Sequence, residues 1–316
     1  MRGKRRKERM ILKNATLHIG NGEVFQGDMR IADGKIVEVG KNINGDESRS
    51  LNGKHVFPGF IDSGNFLGAQ DMAFFAKDYN ENSNPVTPYL DIWHSIDPDE
   101  LSLQELYKAG ITSMLVTPGN EGILGGTCTV VKTKGKNINK ITVKRDAAMK
   151  ASMTSEVIRV FSGKGSPQTP MALIAMLKTA LQTTEYANDY RSQRTKEVMD
   201  AVREGRMPIL VACETAPEME RFLEATKEYT KMKIIFTLSY EADRCADAIK
   251  KRGAAVVLGD TSRNATHLVH RMDFAKLMNM AEDGTKVGLT VLGPNMAWGR
   301  EMLLWNASKL MQTCTN

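Results

Sequence analysis

The chain has 316 residues, of which 41% are hydrophobic and 25% are charged, and this is the composition of an ordinary globular protein. It is long enough for one large domain and one small domain, because a single α/β barrel takes about 250 residues. No apolar run approaches the length of a membrane-spanning helix, so we expect a soluble protein with no membrane partner.

The formal net charge of +6 is concentrated at the N-terminus. Residues 2–9 contain six basic residues and one acidic residue, so the rest of the chain is nearly neutral. We predict that residues 1–9 form a solvated basic tail, and we expect no nucleic-acid partner; contact of this tail with nucleic acid or anionic lipid is the less favoured alternative. No apolar segment follows the tail, as it would in a secretory signal, so we expect a cytoplasmic protein.

The cysteines are far apart in sequence and none has Cys-x-x-Cys spacing. This pattern favours reduced thiols over a disulfide framework or a zinc knuckle. The four residues are Cys128, Cys213, Cys245 and Cys314.

Residues 10–54 alternate short apolar runs with turn signals, which predicts a small β-sheet. The Asp33-Gly34 pair lies between two of these runs. Both central positions of a type I′ turn need a positive φ, so this pair indicates a hairpin.

From residue 55 onward, short apolar runs alternate with stretches of helical spacing, a pattern typical of βα units around a parallel sheet. No Gly-x-Gly-x-x-Gly turn is present, so we predict an α/β fold with a TIM-like (β/α)8 barrel and not a nucleotide-binding open sheet. Residues 120–145 interrupt the alternation and are predicted to form a β-hairpin that rises from a βα loop. The predicted strands are 55–61, 111–117, 208–213, 232–238, 254–258 and 286–292, and the predicted helices are 98–109, 169–204, 216–230, 241–252, 271–283 and 298–311.

Several segments, in order along the chain, carry a family resemblance. The most specific are Phe57-Pro58-Gly59-Phe60-Ile61-Asp62 and Ala109-Gly110-Ile111-Thr112, and Gly125-Gly126 and Thr169-x-Met171 follow them. Over roughly residues 10–312 the sequence resembles the amidohydrolase superfamily, most closely its imidazolonepropionase-like branch. The resemblance implies a partial N-terminal β-sandwich over residues 10–54 and a metal-dependent-hydrolase barrel over residues 55–316.

In that family, a metal ion at the C-terminal ends of the barrel strands activates water, which hydrolyses non-peptide C–N bonds in linear or cyclic amides. The resemblance places the metal ligands and the base at positions that here carry neither imidazole nor carboxylate. We therefore expect no metal, no cofactor and no catalytic residue of the family type, and we interpret the chain as a pseudoenzyme with a scaffold or regulatory role. The positions are Gly64 and Phe66 for the histidine pair, Ser155 for the bridging carboxylate, Ala212 and Leu238 for two further histidines, and Leu292 for the aspartate base.

Family members continue beyond the last barrel helix with strands that complete the sandwich, whereas this sequence stops at Asn316. We therefore expect a barrel truncated at its C-terminal end and an incomplete sandwich with unpaired strand edges. Such edges predict pairing with a second copy of the chain, or with an intact amidohydrolase.

Two alternatives remain open. One is an active hydrolase whose site is rebuilt from Glu156, Glu214, His94 or the His267 and His270 pair. The other is a truncated gene product without a selected function.

Three further expectations concern single side chains. Period-two alternation places Cys213 on the opposite face of its strand from Ala212, which favours a buried structural thiol over a nucleophile. Asp62 is predicted to keep a structural hydrogen bond at the end of its strand. His18, His55 and His94 are predicted to be isolated, and none falls on a ligand position.

Overall fold

The computed structural model describes residues 9–45, 47–70, 77–259, 272–291 and 302–312. The chain divides into two compact units, Met1–Phe60 and Ile61–Asn316. In the described part of the chain, no helix is both long enough and apolar enough to cross a membrane.

The N-terminal unit is built on a five-stranded sheet. Strands β1 and β2, and likewise β2 and β3, pair antiparallel, while β4 and β5 pair parallel with β1. The predicted hairpin turn is confirmed, because Asp33 and Gly34 have φ angles of 52° and 74°. The strands are β1 Arg9–His18, β2 Val24–Ala32, β3 Lys35–Gly40, β4 Ser48–Ser50 and β5 His55–Val56.

One face of this sheet supplies a small apolar core. Ala15, Leu17 and Met29 are its buried members, and Leu12 and Phe25 pack against them. The strands described between residues 9 and 60 form one sheet, so the partial β-sandwich expected over residues 10–54 is not confirmed.

The second unit contains a nearly closed eight-stranded sheet, consistent with the predicted TIM-like fold. The strands lie side by side in sequence order, from β6 to β13. The two end strands also meet, since the Thr290 hydroxyl donates to the Gly64 carbonyl at 2.8 Å. The strands are β6 Phe60–Asn65, β7 Ile111–Val116, β8 Leu124–Lys132, β9 Thr142–Ser152, β10 Ile209–Ala212, β11 Ile234–Thr237, β12 Ala255–Leu258 and β13 Val287–Leu289.

Strand β8 departs from the eight parallel strands of a standard (β/α)8 barrel. It pairs antiparallel with both β7 and β9, whereas β9 to β13 pair parallel. The predicted hairpin is therefore present, but it is built into the barrel wall and does not rise from a loop. The short connection of residues 117–123 has no room for a crossover helix, which explains the antiparallel pairing.

The predicted strand 55–61 is divided between the two sheets. His55 and Val56 pair with β1, and the barrel strand starts only at Phe60. Pro58 lies between them and lacks the N–H that a continuous ladder needs.

The predicted helix 169–204 is also divided. It forms two helices that are separated by residues 183–189, because Thr183 is extended and the Asp189 side chain caps the second helix by accepting from the Ser192 N–H. The described helices are α1 Leu101–Lys108, α2 Ile138–Ile141, α3 Ser155–Phe161, α4 Pro170–Gln182, α5 Tyr190–Arg203, α6 Ala216–Ala225, α7 Ala246–Arg252, α8 Phe274–Glu282 and α9 Met302–Gln312.

Candidate functional site: the barrel mouth

The first two predicted ligand positions lie on strand β6 and directly after it. Gly64 has a φ of 152°, in the region that favours glycine, and a Cβ atom there would lie 3.4 Å from both Leu210 Cδ2 and Thr117 Cγ2. Phe66 is buried and stacks on Tyr79, with ring centroids 4.0 Å apart and an angle of 11° between the planes. An aromatic stack therefore occupies the place where the resemblance implies a metal-bound imidazole.

The next two positions lie at the ends of neighbouring strands and are fully enclosed. Ala212 is the last residue of β10, and Leu238 directly follows β11 with 1% of its surface exposed. Leu238 has a φ of 57°, a left-handed conformation that is unfavourable for a residue with a large side chain. Neither side chain has an atom that can bind a metal.

Two further predicted positions are Ser155, for the bridging carboxylate, and Leu292, for the base. Ser155 is the first residue of α3 and is exposed. Its neighbour Glu156 accepts a hydrogen bond of 2.9 Å from Arg159 on the same helix. Leu292, the position of the base, lies outside the described residues.

These residues do not fit the metal centre that the resemblance implies. Among the described residues, no group of three or more His, Cys, Asp or Glu side chains is placed to hold a metal ion. The buried hydroxyls of Thr117 and Thr237, near Gly64 and Ala212, make no hydrogen bond within the described structure. A hydroxyl is not among the imidazole, thiolate and carboxylate ligands from which such centres are built.

Asp62 is fully buried and joins the first barrel strand to the last. Its carboxylate accepts from the Gly64 N–H at 3.0 Å, the Asn65 side chain at 2.7 Å and the Val291 N–H at 3.1 Å. Burial raises the pKa of Asp62, and these hydrogen bonds oppose that rise. The structure thus agrees with the predicted structural role of Asp62.

Glu214 follows β10 at the barrel mouth and is half-buried. Its pKa is raised to about 7, first by burial and then by the negative charges of Glu218 and Glu156. Glu218 in turn accepts from the Glu214 and Thr215 N–H groups, at 2.7 and 3.2 Å, in a capping box at the start of α6. The structure thus places Glu156 and Glu214 within electrostatic range of each other.

Lys150 on β9 is a buried cation that the sequence analysis missed. It is 1% exposed, and its Nζ donates to Asn120 Oδ1 at 2.7 Å and to the Ala151 carbonyl at 2.9 Å. Burial lowers the pKa of Lys150 to about 8. The sequence does contain a signal that could have identified Lys150, because it is a charged residue inside the otherwise apolar run Ala148-Met149-Lys150-Ala151.

The described cysteines are free and buried. Burial raises the pKa of Cys213 well above its usual value, and it raises the pKa values of Cys128 and Cys245 to about 12. Because the thiolate is the nucleophilic form, burial disfavours a nucleophilic role for these thiols.

Two histidines predicted to be isolated are in contact. His18 Nε2 and His55 Nδ1 are 2.8 Å apart, and Phe57 stacks on the His18 ring. The prediction missed this pair because only the parallel pairing of β1 with β5 brings the two rings together. His267 and His270 lie outside the described residues.

His94 is an exposed residue in a 3₁₀ turn and lines a cavity of about 730 Å³ in the second unit. None of the predicted ligand positions lines this cavity. The described residues around this cavity come from the 78–95 segment, from β8 and β9 and from the start of α5.

The fold is similar to that of a solved amidohydrolase. A crystal structure of an amidohydrolase from Thermotoga maritima MSB8 superposes with a TM-score of 0.86 and 21% identity, over 96% of this chain and 83% of that chain. A guanine deaminase from C. acetobutylicum, with guanine bound in its active site, gives a TM-score of 0.47 and 11% identity, over 98% of this chain and 81% of its own. An uncharacterized metal-dependent hydrolase from Pyrococcus furiosus gives 0.45 and 12%, over 89% and 85%.

No family model matches the sequence, and no curated protein matches it. The superposition on the Thermotoga maritima structure shows that the chain has an amidohydrolase-like fold. The described ligand positions at its barrel mouth hold no metal-binding side chain of the kind that the resemblance implies.

Proposed function

We propose that this chain is an amidohydrolase of the imidazolonepropionase-like branch that has lost metal-dependent hydrolysis of non-peptide C–N bonds and acts as a scaffold or regulator. The observation that carries the proposal is the filling of the metal site: Gly64, Phe66, Ala212 and Leu238 replace ligands on three separate strands. Loss of one ligand could be compensated from elsewhere, but loss on each of these strands leaves no constellation for a metal.

The packing at the mouth supports the same proposal. Unpaired imidazoles and carboxylates would cost about 1–3 kcal/mol each in this buried layer, because they would lose their hydrogen bonds to water. The stack of Phe66 on Tyr79 and the enclosed Ala212 and Leu238 avoid that cost. The positive φ of Gly64 further opposes a return to histidine.

The edge strand β3 supports the proposed scaffold role. Its residues Lys35 to Val39 are all exposed, and β3 ends the sheet in the described N-terminal unit. Ile36 is 63% exposed on this edge. An exposed edge of this kind can pair with a strand of another chain, and we propose a second copy or an intact amidohydrolase as the partner.

Metal analysis of the purified full chain tests the loss of hydrolysis. After incubation with zinc, manganese or iron(II) and gel filtration, we expect far less than one bound metal per chain. We also expect no hydrolysis of N-acyl amino acids or of five- and six-membered cyclic amides. Stoichiometric metal together with amide hydrolysis that a chelator abolishes would refute the proposal.

One observation favours a second candidate, a metal-free hydrolase with a rebuilt site. A carboxyl group with a pKa of about 7 is matched to general acid–base chemistry at neutral pH, and Glu214 has such a value beside Glu156. In that case Glu214 would remove a proton from water or return one to the leaving nitrogen.

The Glu214→Gln variant separates the two candidates. Since the folded pKa lies above the unfolded one, the folded chain retains a proton between about pH 4.5 and 7 that the unfolded chain has lost, so stability falls as pH rises through this window. Glutamine removes that penalty, and we expect a gain of about 1 kcal/mol at pH 8 and almost none at pH 4, in urea unfolding followed by circular dichroism.

The control is Glu220→Gln, an exposed position on the same helix, which should match the wild type at both pH values. The scaffold proposal predicts no amide hydrolysis in either variant. Activity in the wild type that Glu214→Gln abolishes and Glu220→Gln retains would establish the rebuilt site instead.

A further inference from the structure

The cavity lined by His94 in the second unit has a lining suited to a charged small molecule. Its volume of about 730 Å³ is within the usual range for ligand sites. The described lining contains five carboxylates and three guanidiniums. None of the predicted metal positions lines it, but Tyr79, which stacks on Phe66, does, so the cavity adjoins the barrel mouth without including those positions.

Two of the three arginines are neutralised within the protein. Arg145 pairs with Asp91 and lies over the ring of Trp93, 4.3 Å from its centroid. Arg194 pairs with Asp146 and with Glu197. These pairs form the walls of the cavity and leave little charge for a ligand.

Arg191 is different. Its guanidinium lies 4.4 Å from the centroid of the Tyr89 ring and forms no ion pair with a described carboxylate. The Asp189 carboxylate, two residues earlier, accepts from the N–H and the hydroxyl of Ser192. These hydrogen bonds lower the pKa of Asp189, and the nearby Arg191 charge adds to this effect without forming an ion pair. An exposed arginine that lies over a ring and forms no ion pair can still bind a carboxylate.

The 78–81 segment supplies the opposite charge. Asp78 is exposed and forms no hydrogen bond or ion pair with a described residue, and Glu81 accepts a backbone N–H from Ser83 at 2.8 Å. The excess of carboxylates over guanidiniums disfavours a dianion such as phosphate, and favours a ligand with a net positive charge.

We infer that this cavity binds a basic α-amino acid. The α-carboxylate pairs with the Arg191 guanidinium, and the ammonium groups pair with Asp78 and Glu81. A ligand of net charge +1 with a single carboxylate matches this lining, because its carboxylate pairs with Arg191 and its positive groups pair with Asp78 and Glu81. This inference goes beyond the proposed scaffold role and does not depend on it.

Isothermal titration calorimetry on the purified full chain provides the test, with L-lysine and L-arginine as probes. Cadaverine lacks the carboxylate, and L-norleucine lacks the side-chain cation. We expect both amino acids to bind at one site per chain, and both analogues to bind at least tenfold more weakly. Ten-fold is the loss expected when one charge-assisted contact is removed.

Variants locate the site. Arg191→Met keeps an apolar stem over Tyr89 and should weaken L-lysine binding at least tenfold, and Asp78→Asn should do the same. The matched control is Lys196→Met on the same helix, because Lys196 pairs with Asp200 and does not line the cavity. It should bind L-lysine as the wild type does.

Several results would overturn the inference. They are absence of binding by both amino acids at millimolar concentration, equal binding of cadaverine and L-lysine, and binding that survives Arg191→Met and Asp78→Asn. Each of these would leave the metal and hydrolysis measurements at the barrel mouth unaffected, so the two proposals fail separately.

Discussion

Replacing Asp62 with alanine is expected to lower the free energy of unfolding by about 3–5 kcal/mol, the largest single-residue effect that we predict for this chain. The substitution leaves the Gly64 and Val291 N–H groups and the Asn65 side chain without their acceptor in a fully buried position. Because Val291 follows the last barrel strand, the loss also loosens the closure between β6 and β13.

Urea unfolding followed by circular dichroism measures this effect. Asp62→Asn keeps the shape and one acceptor oxygen, so an intermediate loss is expected from it, and it provides a second value if the alanine variant does not fold. The control is Asp97→Ala, an exposed residue whose carboxylate accepts only from the Asp99 N–H, at 2.9 Å, in the described structure. A loss at Asp62 no larger than that at Asp97 would show that barrel closure does not depend on this carboxylate.

This role explains why an aspartate stands at position 62 while no histidine stands at 64 and 66. An aspartate whose partners are backbone N–H groups is needed by the fold whether or not a metal is bound. A histidine that only binds a metal has no such contribution to stability. Under the proposed loss of the metal site, Asp62 would be kept by its contribution to the fold, and positions 64 and 66 would be free to change.

The parts of the fold that sequence predicted well were those with local causes. The Asp33-Gly34 turn depends on the backbone freedom of two residues, and the barrel strands from β10 to β12 are short buried apolar runs. The errors arose where one residue outweighs a regular pattern, as when Pro58 separates two strands. The threonines at 183 and 184 interrupted the predicted helix 169–204 in a similar way, because β-branched residues weaken a helix.

The candidate site was only half predictable. Ala212 is the last residue of β10 and Leu238 directly follows β11, and strand ends can be predicted from sequence because period and strand length are local properties. The contacts of Phe66 with Tyr79 and of Lys150 with Asn120 join segments that are far apart in sequence. No local sequence pattern indicates these two contacts. The shifted pKa values of Lys150 and Glu214 follow mainly from burial, which also depends on distant segments.

Lys150 is expected to make the stability of the fold depend on pH. Burial lowers its folded pKa from 10.5 to about 8. Between these two values the unfolded chain holds a proton that the folded chain has lost, so this residue makes stability rise as pH rises. Relative to Lys150→Met, the free energy of unfolding of the wild type should increase by about 2–3 kcal/mol from pH 7 to pH 10.

Urea unfolding of the wild type and of Lys150→Met at pH 7, 8, 9 and 10 measures the difference between their free energies of unfolding. The titration of all other groups is common to both proteins and cancels in this difference. Lys144→Met, an exposed position on the same strand, should differ from the wild type by a constant amount at every pH. If Lys150→Met also gave a constant difference, the Nζ would keep its proton in the fold up to pH 10. The hydrogen bonds to Asn120 and to the Ala151 carbonyl would then offset the cost of burying the charge, and the inner layer of the barrel would be more polar than its apolar strands indicate.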